Sequence, residues 1–388
     1  MTAVVATWIV AAPAAHADDM RSRQWYLDAM KADDIWKVAT GKGITVAVVD
    51  SGVDSTLPEL HGNVLSGRDF DLGGPGRVDD KDTDRHGTNM ALAIAGSGVN
   101  GGVKGIAPGA TILPVRTGAF YGIDWETTYK AVRYAADNGA RVINISQAGP
   151  AHDEDTAAWR ATVDYARKKG ALIFAGSGND GEGNPVYPAA IPGVVAVGAL
   201  DTKGKVAKFS NYGPHLALAA PGVEMPGRCT SDKNKYCAFE GTSGATAIAS
   251  GVAALIWSAH PDWTGNQVLR VMLETAGHNG PVPSKYIGYG SVRPAQVLLE
   301  GKGDPGDPNV DPLLAAQASA APSHVASQSP ASQSPQTSPS PENTGAAAAE
   351  PDESGFPLWA VAASAIAVVA LVGIVVAVVV RRRASTDA

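Results

Sequence analysis

Between roughly Asp18 and Glu300, apolar runs of strand length alternate with stretches of helical periodicity. This pattern predicts an α/β fold of three layers, a mostly parallel sheet with helices on both faces. The clearest strands are expected at residues 44–49, 142–145, 171–175 and 194–197. Their near-continuous apolar character is what a strand buried on both faces requires. Helices are expected at residues 87–95, 125–138, 156–169, 242–259 and 266–275, the fourth of them apolar nearly all round and therefore central.

Polar residues interrupt this pattern at informative places, because open parallel sheets bind ligands at the carboxyl ends of their strands. Asp50 ends the first run, Ser146 ends the second, and Asn179 follows the third after Ala175-Gly-Ser-Gly178. All three are thereby placed on one edge of the sheet.

The ends of the chain follow other rules. Residues 1–17 read as a secretory signal ending in Ala15-His16-Ala17, with cleavage expected after Ala17, although no Lys or Arg lies near Met1. Residues 18–43 form an N-terminal extension and residues 44–300 the globular domain. Residues 301–355 turn into Pro, Ser, Ala and Gln, a disordered tether that cannot bury enough apolar area to fold. Residues 356–380 carry no charge and precede Arg381, Arg382 and Arg383. This is a transmembrane helix by length. The positive-inside rule makes residues 381–388 a cytoplasmic tail and puts the domain outside the membrane.

Among the 388 residues, 45% are hydrophobic and 18% charged, with a net charge of -7. That balance suits one large globular domain and gives no electrostatic footprint for nucleic acid. Cys229 and Cys237 are the only cysteines. In an oxidising compartment they either pair across a short loop or stay as two free thiols.

Candidate chemistry gathers at three motifs. Asp50-Ser51-Gly52 puts a carboxylate at the mouth of a buried strand, with a glycine to turn the chain. A lone Asp there is more often a turn former. His86-Gly87-Thr88 opens an apolar helix, and of the eight histidines only His86 sits in such a frame. Gly241-Thr-Ser-Gly-Ala245 places Ser243 at the start of the central helix, where the positive helix end favours the charge that develops in acyl transfer. A helix cap would explain Ser243 alone, but not the flanking glycines.

In these residues the chain resembles the subtilisin-like serine proteases, which carry motifs of the form Asp-Ser-Gly, His-Gly-Thr and Gly-Thr-Ser in that order. The order separates them from α/β-hydrolases and from chymotrypsin-like enzymes. The resemblance implies a serine endopeptidase with Asp50, His86 and Ser243 as its triad. It also implies Asn179, in Ala175-Gly-Ser-Gly-Asn-Asp-Gly181, as a side-chain oxyanion donor. It implies Ser146, Gln147, Ala148, Gly149, Gly176, Ser177 and Gly178 as substrate-binding residues, with the backbone of the segment from Val142 to Pro150 pairing with an extended peptide.

More narrowly, the chain is similar to the mycosins, the membrane-anchored subtilases of type VII secretion, in Gln24-Trp-Tyr-Leu-Asp28, Lys31-Ala-Asp-Asp-Ile-Trp36, the Pro/Ser-rich tether and the anchor. This implies secretion-system membrane components as partners. No separate inhibitory prodomain fits between Ala17 and Gly43. The chain departs from the family at Gly244, Thr246 and Ala247 around the nucleophile, at Asn89 where His is frequent, and at Gln147 and Ala148.

Three other readings compete. Gly176-Ser-Gly-Asn-Asp-Gly181 fits a dinucleotide fingerprint, but Pro185, Pro188 and Pro192 forbid the helix that must follow. Asp69, Asp71, Asp79, Asp80, Asp82 and Asp84 crowd one stretch without matching a calcium motif, and read as a solvated loop. No metal and no cofactor is expected. The rival of another class is a subtilase-fold scaffold of a secretion complex, with weak or dispensable proteolysis.

Overall fold

A computed structural model of the chain describes residues 20–75, 85–118, 124–150 and 153–320. The expected signal peptide, transmembrane helix and tail, the tether from residue 321 onward, and Asp79, Asp80, Asp82 and Asp84 lie outside the described residues.

Alternation of side chains along the strands sets the layers. In β1 (Thr45–Asp50), Val46 and Val48 join one buried cluster while Ala47 and Val49 join another on the opposite face. The same division recurs in β6 (Leu172–Gly176), with Leu172 and Phe174 on the first side and Ile173 and Ala175 on the second. Five further strands complete the main sheet: β2 (Arg68–Asp69), β3 (Thr111–Arg116), β4 (Val142–Ile145), β8 (Val194–Leu200) and β9 (Leu216–Pro221). The seven run parallel in the order β2-β3-β1-β4-β6-β8-β9. Two small antiparallel ribbons lie outside it, β5 (Gly149–Pro150) with β7 (Val186–Tyr187), and β10 (Met225–Arg228) with β11 (Tyr236–Phe239).

Helices α5 (Trp125–Asp137) and α6 (Asp153–Lys168) cover one face. The other face receives α4 (His86–Ala95), α7 (Thr242–Ala259) and α8 (Gly265–Glu274), along with α1 (Met20–Arg23), α2 (Trp25–Ala29), α3 (Ala32–Ile35) and α9 (Pro294–Leu298). The carrier helices α4 and α7 cross closely beside Ile106. A Cβ on Gly251 of α7 would lie 2.3 Å from Ile106 Cγ2, so glycine leaves room for that side chain beside the two helices. Thr242–Ala259 is long and apolar enough to cross a bilayer, yet it is buried in this core.

Three elements differ from the sequence expectations. The strand β3 was hidden because Pro114 interrupts it. Its partner β2 begins pairing only at Val115, so the proline lies beyond that short edge ladder. The N-terminal extension is part of the body: Tyr26, Leu27 and Ile35 are fully buried, and Gln24 bonds both the carbonyl and the N–H of Lys104 at 2.6 and 3.0 Å.

Residues 301–320, expected as the start of a disordered tether, instead pack on the domain and end in α10 (Pro312–Ala320). Asn266 and Gln267 donate to the carbonyls of Pro308 and Gly306 at 2.9 and 3.2 Å. Arg167 pairs with the buried Asp311 at 2.8 Å. Specific polar contacts thus hold a segment too poor in apolar residues to announce itself by hydrophobic pattern.

Candidate active site

Asp50 is the last residue of β1 and is fully buried. Its Oδ1 lies 2.7 Å from His86 Nδ1 and also accepts from the Ser51 N–H at 2.7 Å and the Ser51 hydroxyl at 3.2 Å. Its Oδ2 is buried with no hydrogen-bond partner among the described residues. A carboxylate facing Nδ1 keeps the ring proton there, which leaves Nε2 as the basic nitrogen.

His86 is the first residue of α4, and Arg85 before it stands in the left-handed region with φ 57°. Arg85 reaches the buried Asp54 at 3.4 Å. The approach of α4 to β1 depends on Gly87. A Cβ there would lie 2.2 Å from the Gly52 carbonyl oxygen and 3.0 Å from Asp50 Cβ, so no other residue fits without displacing the pair.

Beneath the turn after Asp50, Arg116 donates to the Ser51 carbonyl at 2.9 Å and pairs with Asp69 and Asp71. This corrects the reading of Asp69 as part of a solvated loop, whereas Asp71 is exposed as expected. Asp69 is buried, because its carboxylate is taken up by Arg116 and by the N–H groups of Asp71 and Leu72. Among the described residues no group of three or more His, Cys, Asp or Glu comes together to hold a metal ion.

Ser243 is the second residue of α7, at the end where helix N–H groups and the macrodipole favour negative charge. Its hydroxyl donates to the Ser146 carbonyl at 3.3 Å, while the Ser146 hydroxyl donates to the Ser243 carbonyl at 3.3 Å. Behind them runs a buried relay. Asn144 donates to the Ser146 hydroxyl at 3.0 Å and accepts from Ser250 of α7 at 3.1 Å.

Asn179 stands at the same mouth. Its Oδ1 accepts from the Thr242 N–H at 2.8 Å and the Thr242 hydroxyl at 3.0 Å, which fixes the amide and leaves its NH₂ as a donor. Thr242 in turn accepts from the Gly178 N–H at 3.3 Å.

Two cavities meet at Ser243. One, of about 600 Å³, is lined by Ser146, Ala148, Gly149, Gly176, Gly178 and Asn179, with Pro185 and Val186 beyond them. Gln147 and Ser177, between these lining residues in the chain, turn their side chains away from it. Both are buried, Gln147 accepting from Thr117 at 3.1 Å and Ser177 donating to the Asn211 carbonyl at 3.0 Å, which leaves their backbones as the groups that an extended peptide would meet. The second cavity, of about 390 Å³, lies between α4 and the β10–β11 ribbon and is lined by His86, Asn89 and Cys237 among others.

That ribbon carries the disulfide Cys229–Cys237, and no described cysteine is free. Asn89 accepts from the Arg228 N–H at 2.7 Å and donates to the Arg228 carbonyl at 3.1 Å. The Arg228 guanidinium reaches both oxygens of buried Glu59 at 2.6 and 2.8 Å, and the Tyr236 hydroxyl donates to Glu59 at 2.6 Å. Burial, followed by the Glu59 contact, pushes the Tyr236 phenol well up, so it remains a donor. Sequence reasoning missed Thr242, Glu59 and Arg228, and noted Asn89 only as a departure.

Comparison with known proteins places this geometry. The model of the subtilase family, Peptidase_S8, matches residues 41–290. The chain belongs to the subtilase family. It is 36% identical over 263 residues to the "Thermophilic serine proteinase" of Bacillus sp. (strain AK1), a match covering 67% of this chain and 63% of that relative's length. Among solved structures, MycP1 from Mycobacterium smegmatis is 29% identical at TM-score 0.63, covering 74% of this chain and 86% of that one. The MycP3 protease from the type VII (ESX-3) secretion system is 32% identical at TM-score 0.63, covering 71% and 88%. As a subtilase of mostly parallel α/β architecture with mycosin structural neighbours, the chain meets the fold and family expectations drawn from its motifs.

Proposed function

We propose that this subtilase is a serine endopeptidase that hydrolyses peptide bonds of protein substrates through Asp50, His86 and Ser243. The observation that carries the reading is the 2.7 Å contact between His86 Nδ1 and the buried Asp50 carboxylate, at the wall of a cavity that also contains Ser243. With Nδ1 so held, Nε2 takes the proton of Ser243 Oγ as that oxygen attacks the scissile carbonyl. The resulting imidazolium then hands the proton to the leaving amine. Asp50 stabilises the imidazolium. The oxyanion is met by the Asn179 NH₂, which Thr242 aims, and by N–H groups at the start of α7. A water molecule repeats the sequence on the acyl-enzyme and releases the new carboxyl end.

The same proposal extends to place. Residues 356–380 before Arg381 anchor the protein in the cell membrane, and residues 1–17 direct the domain out of the cytoplasm. Likeness to MycP1 and MycP3 supports a role beside a type VII secretion system, with its membrane components as partners.

A fluorophosphonate probe tests the chemistry. The wild-type protein should be labelled and should cleave peptides, whereas Ser243→Ala should do neither. Ser243→Ala should also stay folded, since losing a hydroxyl at a helix start costs about 0.5 to 2 kcal/mol. A folded wild type that takes no label would defeat the reading. Full secretion by cells carrying Ser243→Ala would instead favour the scaffold role.

A further inference from the structure

The two cavities at Ser243 share that residue alone, which divides the substrate between them. The first contains Asn179, where the carbonyl oxygen of the scissile bond must settle. The second contains His86, which has to reach the leaving amine with its proton. On the endopeptidase reading above, residues following the scissile bond therefore leave Ser243 on the His86 side, along the β10–β11 ribbon.

A ribbon of two strands has little stability of its own. This one is tied down by side chains from elsewhere. Asn89, one turn after His86 on α4, satisfies both the N–H and the carbonyl of Arg228, as a neighbouring strand would. Glu59 then takes the Arg228 guanidinium and the Tyr236 hydroxyl, one from each strand. Glu59 is 1% exposed, so these bonds are screened from water. The wall of the second cavity is thus indexed to the helix that carries the base.

We propose that Asn89 and Glu59 are positioning residues which hold the β10–β11 ribbon as the wall of a subsite for the leaving-group side of the peptide.

The test isolates that side of the substrate. An ester with a methyl leaving group acylates Ser243, and a dipeptide amide is added to compete with water for the acyl-enzyme. The dipeptide amine attacks the acyl carbon, a C–N bond forms and the bond to Ser243 Oγ breaks. The amine proton passes through His86 back to Ser243. The ratio of transfer to hydrolysis reports occupancy of the second cavity, and ester turnover reports the triad.

Asn89→Leu removes both bonds to Arg228 and should lower the transfer ratio about tenfold, with ester turnover falling less than threefold. Asn89→Asp keeps the acceptor and loses the donor, and should fall between. Glu59→Gln, close in shape, should lower the ratio several-fold and provides the second reading if Asn89→Leu fails to fold. Unchanged ratios in Asn89→Asp and Glu59→Gln would overturn the proposal, as would ester turnover falling in step with the ratio. A wild type that neither turns over the ester nor takes a fluorophosphonate label would instead overturn the endopeptidase reading beneath it.

Discussion

Gly87→Ala puts one methyl group into the contact between α4 and β1. The added carbon would lie 2.2 Å from the Gly52 oxygen, about 1 Å inside ordinary contact, and 3.1 Å from Asp50 Oδ1. Both obstacles belong to the Asp50 turn, one of them backbone, so no flexible side chain can swing aside. Either α4 withdraws with His86 or the turn withdraws with Asp50. In both cases the 2.7 Å contact between them lengthens.

A displacement near 1 Å in a catalytic pair costs on the order of 10² in rate. Overpacking of this kind costs about 1 to 3 kcal/mol in stability, which lowers Tm by several degrees. The assay is kcat on a fluorogenic peptide, normalised to the labelled active fraction, with Tm measured in parallel. Gly280→Ala is the control, because its Cβ meets nothing within 4 Å. Gly87→Ala with kcat within threefold of wild type and unchanged Tm would refute the claim that this glycine sets the distance.

Asn179→Ala should lower kcat by about 10² to 10³ with KM little changed, a range established on subtilisin itself and carried over here; an unchanged kcat would remove Asn179 from the oxyanion site. Replacing Cys229 and Cys237 together by Ser releases a closed loop of sequence separation 8 and should cost about 2 to 3 kcal/mol in the chain-entropy picture. Urea denaturation of the variant and wild type measures it, and equal stability would contradict it. Burial holds the His215 imidazole below its ordinary value near 6.5, with Nε2 unpartnered among the described residues. As pH falls through about 6.5 the unfolded chain binds a proton that the folded one resists, so stability drops. The Tm of His215→Leu should fall less than that of wild type between pH 7.5 and 5.5, and parallel losses would show that His215 does not matter.

What could be read from the sequence followed from local signals. Asp50, His86 and Ser243 each stand at a strand end or helix start beside glycines, so motif and element reinforce one another. The long buried strands and α7 declared themselves by apolar runs. Residues whose roles arise from distant partners were silent. Glu59 meets Arg228 across 169 positions and Asn89 meets it across 139, and nothing near either residue marks the contact. Thr242 looked like part of the nucleophile motif, while its bond to Asn179 spans 63 positions. At Gln147 and Ser177 the motif marks the backbone, while the inward turn of each side chain rests on Thr117 and on the Asn211 carbonyl, distant partners that no local signal shows.

The segment 301–320 packs on one side of the domain. Pro308 and Asn309 share a cavity with Gly170 to Leu172, at the amino end of β6, whereas Asp50 and Gly176 end their strands at the opposite edge. Arg167, Asn266, Gln267 and Arg270 grip residues 306–311, so a pull applied at Ala320 would be received by them. Such a pull would enter through α6 and α8 and bypass α4 and the ribbon. Were the proposed anchor to hold the domain by this segment, it would hold it on the side away from Ser243 and leave the cleft open to a bulky protein.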